Sequence, residues 1–107
     1  MTESTHGQLW KEGKEGGPVC TDCHEAHDIV DPTTIQARQD FPNECGNCHE
    51  KESKTFHESF HGKATGIGRA GAAMCSDCHT PHHNLPTSDP RSTTHPDNLE
   101  AMCGKCH

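Results

Sequence analysis

The chain contains no tyrosine, one tryptophan and three phenylalanines, and only 28% of its 107 residues are hydrophobic. So little apolar material argues against a conventional hydrophobic core, and by composition alone the chain lies near the disordered class. Long apolar runs are missing too, so no segment is expected to span a bilayer. Positive charge is scarce: nine Lys and Arg face sixteen Asp and Glu, which leaves a net charge of −7. Without a basic stripe to neutralise phosphates, nucleic acid is excluded as an expected partner. No alternating pattern of the kind that marks strands is present. Something other than aliphatic and aromatic side chains has to fill the interior of a single domain of this size.

What the sequence does have is eight cysteines and eleven histidines. Every cysteine belongs to one of four C-x-x-C-H motifs, at Cys20-Cys23-His24, Cys45-Cys48-His49, Cys75-Cys78-His79 and Cys103-Cys106-His107. This is the attachment signature of c-type haem. The two thiols add across the vinyl groups of one porphyrin edge, and the next histidine reaches the iron. Paired cysteines also build zinc ribbons, but zinc sites place no demand on the residue after the second cysteine. With histidine at about one residue in ten, four successes from four by chance come to roughly one in ten thousand. Disulfide frameworks and iron–sulfur ligation leave the histidine rule equally unexplained. The expectation is four covalent haem c groups, with His24, His49, His79 and His107 as proximal iron ligands. Their apolar macrocycles would make a haem-filled core, and their propionates would take the formal charge from −7 to roughly −11.

The chain is also duplicated. A shift of 55 positions sets Glu3-Ser4-Thr5-His6-Gly7 on Glu58-Ser59-Phe60-His61-Gly62, Gly13 on Gly68, Gly16 on Gly71, and Cys20-Thr21-Asp22-Cys23-His24 on Cys75-Ser76-Asp77-Cys78-His79. His27 then falls on His82, and after three extra residues Cys45-Cys48-His49 meets Cys103-Cys106-His107. The organisation expected is one tetrahaem domain, residues 1–107, built from a di-haem repeat at about 3–49 and another at about 58–107. Seven histidines lie outside the motifs. Only His6 with His61, and His27 with His82, recur in register, so these four are the expected distal ligands. His57, His83 and His95 have no counterpart, and surface or propionate-bonding roles suit them better, although His83 could substitute for its neighbour His82. His27 lies too close to His24 to fold over the same porphyrin, which points it to the haem of His49; His82 would likewise serve that of His107. His6 and His61 are then left for the haems of His24 and His79, with exchange of ligands between the repeats, or supply from a neighbouring subunit, as the alternatives.

The remaining features carry plainer readings. Residues 50–61, free of glycine and proline, predict a helix stopped by Gly62. The proline-bearing segments 31–44 and 84–102 predict irregular connectors. Gly7 and Gly62 follow proposed ligands, where a missing side chain lets backbone approach a porphyrin. Asp22 and Asp77 read as helix N-caps. Met74 and Met102 precede motif cysteines, but Val19 and Glu44 stand at the matching positions, so packing is preferred to iron ligation. Phe41, Phe56, Phe60 and Trp10 are expected to cover haem faces or edges. Residues 66–71 satisfy G-x-G-x-x-G, yet no strand precedes them and the other repeat lacks the pattern, so a dinucleotide site is rejected.

Taken together, the S-x-H-G, C-x-D-C-H-x-x-H and C-G-x-C-H elements resemble the repeat unit of multihaem c-type cytochromes with tandem CxxCH pairs. The resemblance implies a small, mostly irregular fold with a few short α-helices, no significant sheet, and bis-histidine haems packed edge to edge as an electron conduit. It is distant from the small tetrahaem class III cytochromes, because C-x-x-C-H-H is absent. Haem count and polar composition are nearer to the tetrahaem cytochromes that polymerise into extracellular filaments, which makes self-association one alternative. A multihaem reductase with one open iron is another, opposed by seven candidate histidines for four irons. The partners implied are redox proteins or an extracellular electron acceptor. Haem attachment of this type requires export to a periplasmic or extracellular compartment; since no signal peptide precedes Thr2, the numbering is expected to begin on a mature or excised segment.

Overall fold

Serines placed three residues ahead of glycines set the helix starts in both halves of the chain. In the computed structural model, which describes residues 2–107, Ser4 caps α1 (Thr5–Lys11) and its Oγ accepts the Gly7 amide at 3.0 Å. Ser59 caps α4 (Phe60–Gly66) in the same way, accepting the Gly62 amide at 3.1 Å. An N-cap oxygen satisfies one of the amides that the first helical turn leaves without a partner. Between these two lie α2 (Ile35–Gly46) and α3 (Glu50–Glu58), and after them α5 (Cys75–Cys78) and α6 (Leu99–Cys103). Two 3-10 turns, Cys20–Asp22 and Pro96–Asn98, complete the regular structure, and no strand occurs among the described residues. The small, mostly irregular fold with short helices and no sheet is as expected. The recurring glycines also have one conformation: Gly13 and Gly68, with Gly16 and Gly71, all take positive φ, between 62° and 87°, a region closed to most side chains.

The chain forms two compact units. One is Val19–Cys75. Within it α2 opens on Thr34, whose hydroxyl accepts the Ala37 amide at 3.2 Å after an Asp31 turn onto Thr33. Segment 31–44 is therefore not wholly irregular, contrary to its prolines: Pro32 precedes the cap, and Pro42 sits inside the helix with its ring fully buried. That burial offsets the hydrogen bond the ring removes. The helix expected over 50–61 is instead two, because the Ser59 amide and hydroxyl both donate to the Phe56 carbonyl, at 2.9 and 2.6 Å, and the chain then restarts. Gly62 is accordingly no stop but the third residue of α4, where a Cβ would run into the Phe56 carbonyl. Helix α4 packs on α3 and α2. Gln39 donates to the Gly66 carbonyl at 2.8 Å, Arg38 to Ala72 at 2.7 Å and Thr65 to Ala73 at 2.9 Å.

The other unit joins the N-terminal residues up to Pro18 with Ser76–His107. Here the Thr5 amide donates to the Asn84 carbonyl at 2.8 Å. Polar bonds to backbone hold the long segment: buried Ser92 donates to Leu85 at 3.1 Å, Thr93 to Cys78 at 2.6 Å, and Asn98 to Pro90 and Ser92 at 2.9 and 2.8 Å. Segment 84–102 is irregular as expected until Pro96, where a 3-10 turn leads into α6. Among the described residues Ala37 and Met74 are the buried hydrophobic residues, beside the buried Pro42 ring. No helix among them is long and apolar enough to cross a membrane.

Candidate functional site

Each C-x-x-C-H motif is wound as one helical turn. In the first, the Cys23 and His24 amides return to the Cys20 carbonyl at 3.4 and 2.9 Å; in the second, Cys48 and His49 return to Cys45 at 3.3 and 2.9 Å. The fourth repeats this with Cys106 and His107 on Cys103, at 3.2 and 3.0 Å, and the third is the four-residue helix α5. Residues i, i+3 and i+4 share one face of such a turn. Both thiols and the imidazole of a motif are thereby presented together, which is the arrangement two thioethers and one iron ligand require. No disulfide joins any of the cysteines. Asp22 supports the first turn from its third position, accepting the Val19 amide at 2.8 Å, so it is not the N-cap that the sequence suggested. Asp77 lies in the first turn of α5.

Successive motifs are neighbours. Burial raises the Cys23 thiol pKa, and the charges of Cys45, Asp22 and Cys48 add to this. Cys45 shares a hydrogen bond with Cys75, and that bond together with burial pushes its thiol far above the usual range. Burial, then Asp77, Cys103 and Cys106, raise Cys78. A cleft of about 220 Å³ opens at the first motif between Cys23, His24, Ile29, Val30 and the α2 residues Ala37 and Phe41. Phe41 meets His24 edge-on, with ring centroids 6.1 Å apart.

The histidines outside the motifs fall into distinct settings. His6 and His61 occupy the second position of the two serine-capped helices, one residue before the glycine that bonds the cap. His27 and His82 are exposed in irregular chain just past their motifs. His57 lies in the last turn of α3 beside Phe56, at 5.5 Å between centroids, and the His83 amide closes a turn on Thr80. His95 caps the Pro96–Asn98 turn: its Nδ1 accepts the Asp97 amide at 3.2 Å. Sequence reasoning missed that cap, whose signal was the following proline and aspartate. It also missed Asn84, whose side-chain oxygen is buried without a hydrogen-bond donor. Among the described residues no three His, Cys, Asp or Glu side chains converge on one metal position.

The residues present fit covalently attached haem. Phe60 is 92% exposed, Ile67 84% and Ile29 77%, and Trp10 is also largely uncovered. Apolar side chains left open to solvent suit contact with an apolar macrocycle, and the donor set, thiol pairs with imidazoles, matches haem c. One-turn motifs, open apolar residues and spare histidines are the features expected of a multihaem c-type cytochrome, and comparison with known proteins finds similarity to that class. The model of the doubled CXXCH motif matches residues 11–54. The chain is 25% identical over 89 residues to "Multiheme cytochrome MtrA" of Shewanella baltica (strain OS185), covering 83% of this chain but 24% of that protein. It thus spans about a quarter of the length of that relative. No solved structure matches.

Proposed function

We propose that this chain carries electrons through four covalently attached c-type haems, each gripped by two histidines. The observation that carries the reading is the doubled ligand set: four one-turn motifs, and two histidines held at the same position of two serine-capped helices. Bound haem supplies one-electron exchange between ferric and ferrous iron. The residues do the rest. Cys20, Cys23, Cys45, Cys48, Cys75, Cys78, Cys103 and Cys106 form the thioethers, and His24, His49, His79 and His107 take the proximal positions. His6, His27, His61 and His82 take the distal ones. Two imidazoles held to each iron would favour low-spin centres, with little rearrangement between oxidation states and low potentials.

The nearness of successive motif cysteines supports hopping between adjacent centres, and Phe41 against His24 supports packing at the first. A carrier of this kind needs no open iron, so electron transfer is favoured over reductase catalysis. The acidic balance, −7 before propionates are counted, favours partners with a cationic docking face, whose association weakens as salt rises. Haem attachment of this type, which requires export, supports a periplasmic or extracellular location. Intact mass spectrometry of the mature protein tests the proposal, together with the spectrum of the ferric form. The expected result is a mass above the polypeptide by four haems and an electron paramagnetic resonance spectrum without a high-spin component. A mass equal to the bare chain sinks it.

A further inference from the structure

Duplication pairs His6 with His61, but the folded chain puts the two in company that the repeats do not predict. His61 lies on α4, inside the Val19–Cys75 unit. That unit contains the whole of the first and second motifs and, at its last residue, only Cys75 of the third. Its helix α2 ends in Cys45 and Gly46 of the second motif, and also lines the cleft at Cys23 and His24 of the first. Helix α4 is fastened to α2 by the Gln39 bond to Gly66, and Gly68 rests against Ile35 and Gln39 of the same helix. The N-terminal helix goes the other way. None of the first two motifs belongs to the unit that holds His6, which contains Cys78, His79 and the whole fourth motif. The Thr5 amide, adjacent to His6, is bonded at 2.8 Å to the carbonyl of Asn84, two residues beyond His82. The buried Asn84 side-chain oxygen, which lacks a donor, is on the same residue. A ligated imidazole keeps one ring N–H to give to such an acceptor.

We infer that the two repeats exchange distal ligands: His61 of the second repeat serves a haem of the first pair, and His6 of the first repeat serves a haem of the second. This rests on the bis-histidine reading above and takes the exchanged arrangement over the within-repeat one that sequence spacing favours. With His27 and His82 directed to the haems of His49 and His107, His61 falls to the haem of His24, beside Phe41, and His6 to that of His79. The exchange gives the duplicated chain a reason to stay a single folded entity. Each repeat would hold one distal ligand for a haem of the other, so separating the repeats would take from one haem of each the histidine that the fold supplies to it.

The test uses the full chain. His61→Ala should convert one haem in four to high spin. That replacement is then combined in turn with loss of each haem, by changing both cysteines of one motif to alanine, and attachment of the other three is checked by mass. Disappearance of the high-spin signal on deletion at Cys20 and Cys23, or at Cys45 and Cys48, supports the exchange. Disappearance on deletion at Cys75 and Cys78, or at Cys103 and Cys106, overturns it and leaves the bis-histidine reading intact. No high-spin signal in the four-haem His61→Ala protein removes His61 as a ligand altogether, so the two failures are separable. Should a deletion variant not accumulate, the unmodified protein answers the same question. Ferrous low-spin haems are diamagnetic, and nuclear Overhauser contacts from the His61 ring should reach the haem that also contacts the Cys20 or Cys45 side chain. Contacts to the haems of Cys75 or Cys103 overturn the assignment.

Discussion

His95 accepts the Asp97 amide on Nδ1 at 3.2 Å. A neutral imidazole accepting there carries its proton on Nε2 and has no lone pair left for iron. His95→Ala should therefore leave every haem low-spin in the electron paramagnetic resonance spectrum while costing about 1 kcal/mol of cap stability; a new high-spin signal would move His95 into the ligand set. Nearby, Asp89 accepts the Arg91 backbone amide at 2.9 Å and its Nε at 3.1 Å on one oxygen, and an Arg91 Nη at 2.8 Å on the other. Hydrogen bonding from the Arg91 side chain, then from its amide, holds this carboxyl down at about 2, below its ordinary 3.8. A lowered folded-state pKa means the stabilising contribution is complete above 3.8 and is lost as pH falls through about 2. Carbon-detected magnetic resonance of the reduced protein should find the Asp89 midpoint near 2, and a midpoint at the ordinary value would show the Arg91 clasp to be absent in solution.

The serine-capped helices α1 and α4 carry His6 and His61, two of the proposed distal ligands. Each is seven residues long, too short to persist without its cap and its neighbours. Ser59→Ala should cost about 1 kcal/mol and loosen His61, seen as carbon monoxide binding by a fraction of one haem after reduction; Ser59→Asp should restore the cap and abolish that binding. Full carbon monoxide resistance in Ser59→Ala would mean that the helix start does not position the ligand. Gly62→Ala should be worse, by about 1–3 kcal/mol in denaturant unfolding, because its Cβ would meet the Phe56 carbonyl. Gly66→Ala, with nothing within 4 Å, serves as the matched control. These elements explain what the sequence made readable. The motif turns and the S-x-H-G caps are local, so their residues stand in fixed register and repeat after 55 positions. What could not be read was set by burial. Pro42 is accepted inside α2 because its ring packs, and residues 50–61 break at Ser59 because a hydroxyl competes for the Phe56 carbonyl. The units also cut across the repeats, since Thr5 bonds to Asn84 and Gln39 to Gly66, contacts of long sequence separation that periodicity does not encode.

At the scale of the whole molecule, the question is what pays the conformational entropy of ordering the chain, about 1–2 kcal/mol per residue for backbone alone. The polypeptide supplies little. Ala37 and Met74 are its buried hydrophobic residues among those described, its helices run from 4 to 12 residues, and Phe60, Ile67, Ile29 and Trp10 lie open to solvent. Helices of that length are marginal in water unless an apolar face is packed. The polar network of Ser92, Thr93 and Asn98 orders its own segment, but net gains of about 1 kcal/mol per hydrogen bond do not replace a core. Covalent haem, bound as proposed, would offset the deficit twice over. It would cover apolar side chains, and its histidine ligands would tie together segments far apart in sequence. The chain produced without haem attachment, its thiols kept reduced, should therefore lose cooperative thermal unfolding and amide-exchange protection, whereas the haem-loaded protein melts cooperatively. Removing single haems through their cysteine pairs should lower the melting temperature stepwise. A haem-free chain that melts as sharply, and at the same temperature, as the loaded protein would locate the core in the polypeptide after all, and with it would fall the view that Phe60, Ile67 and Ile29 are exposed in order to meet porphyrin.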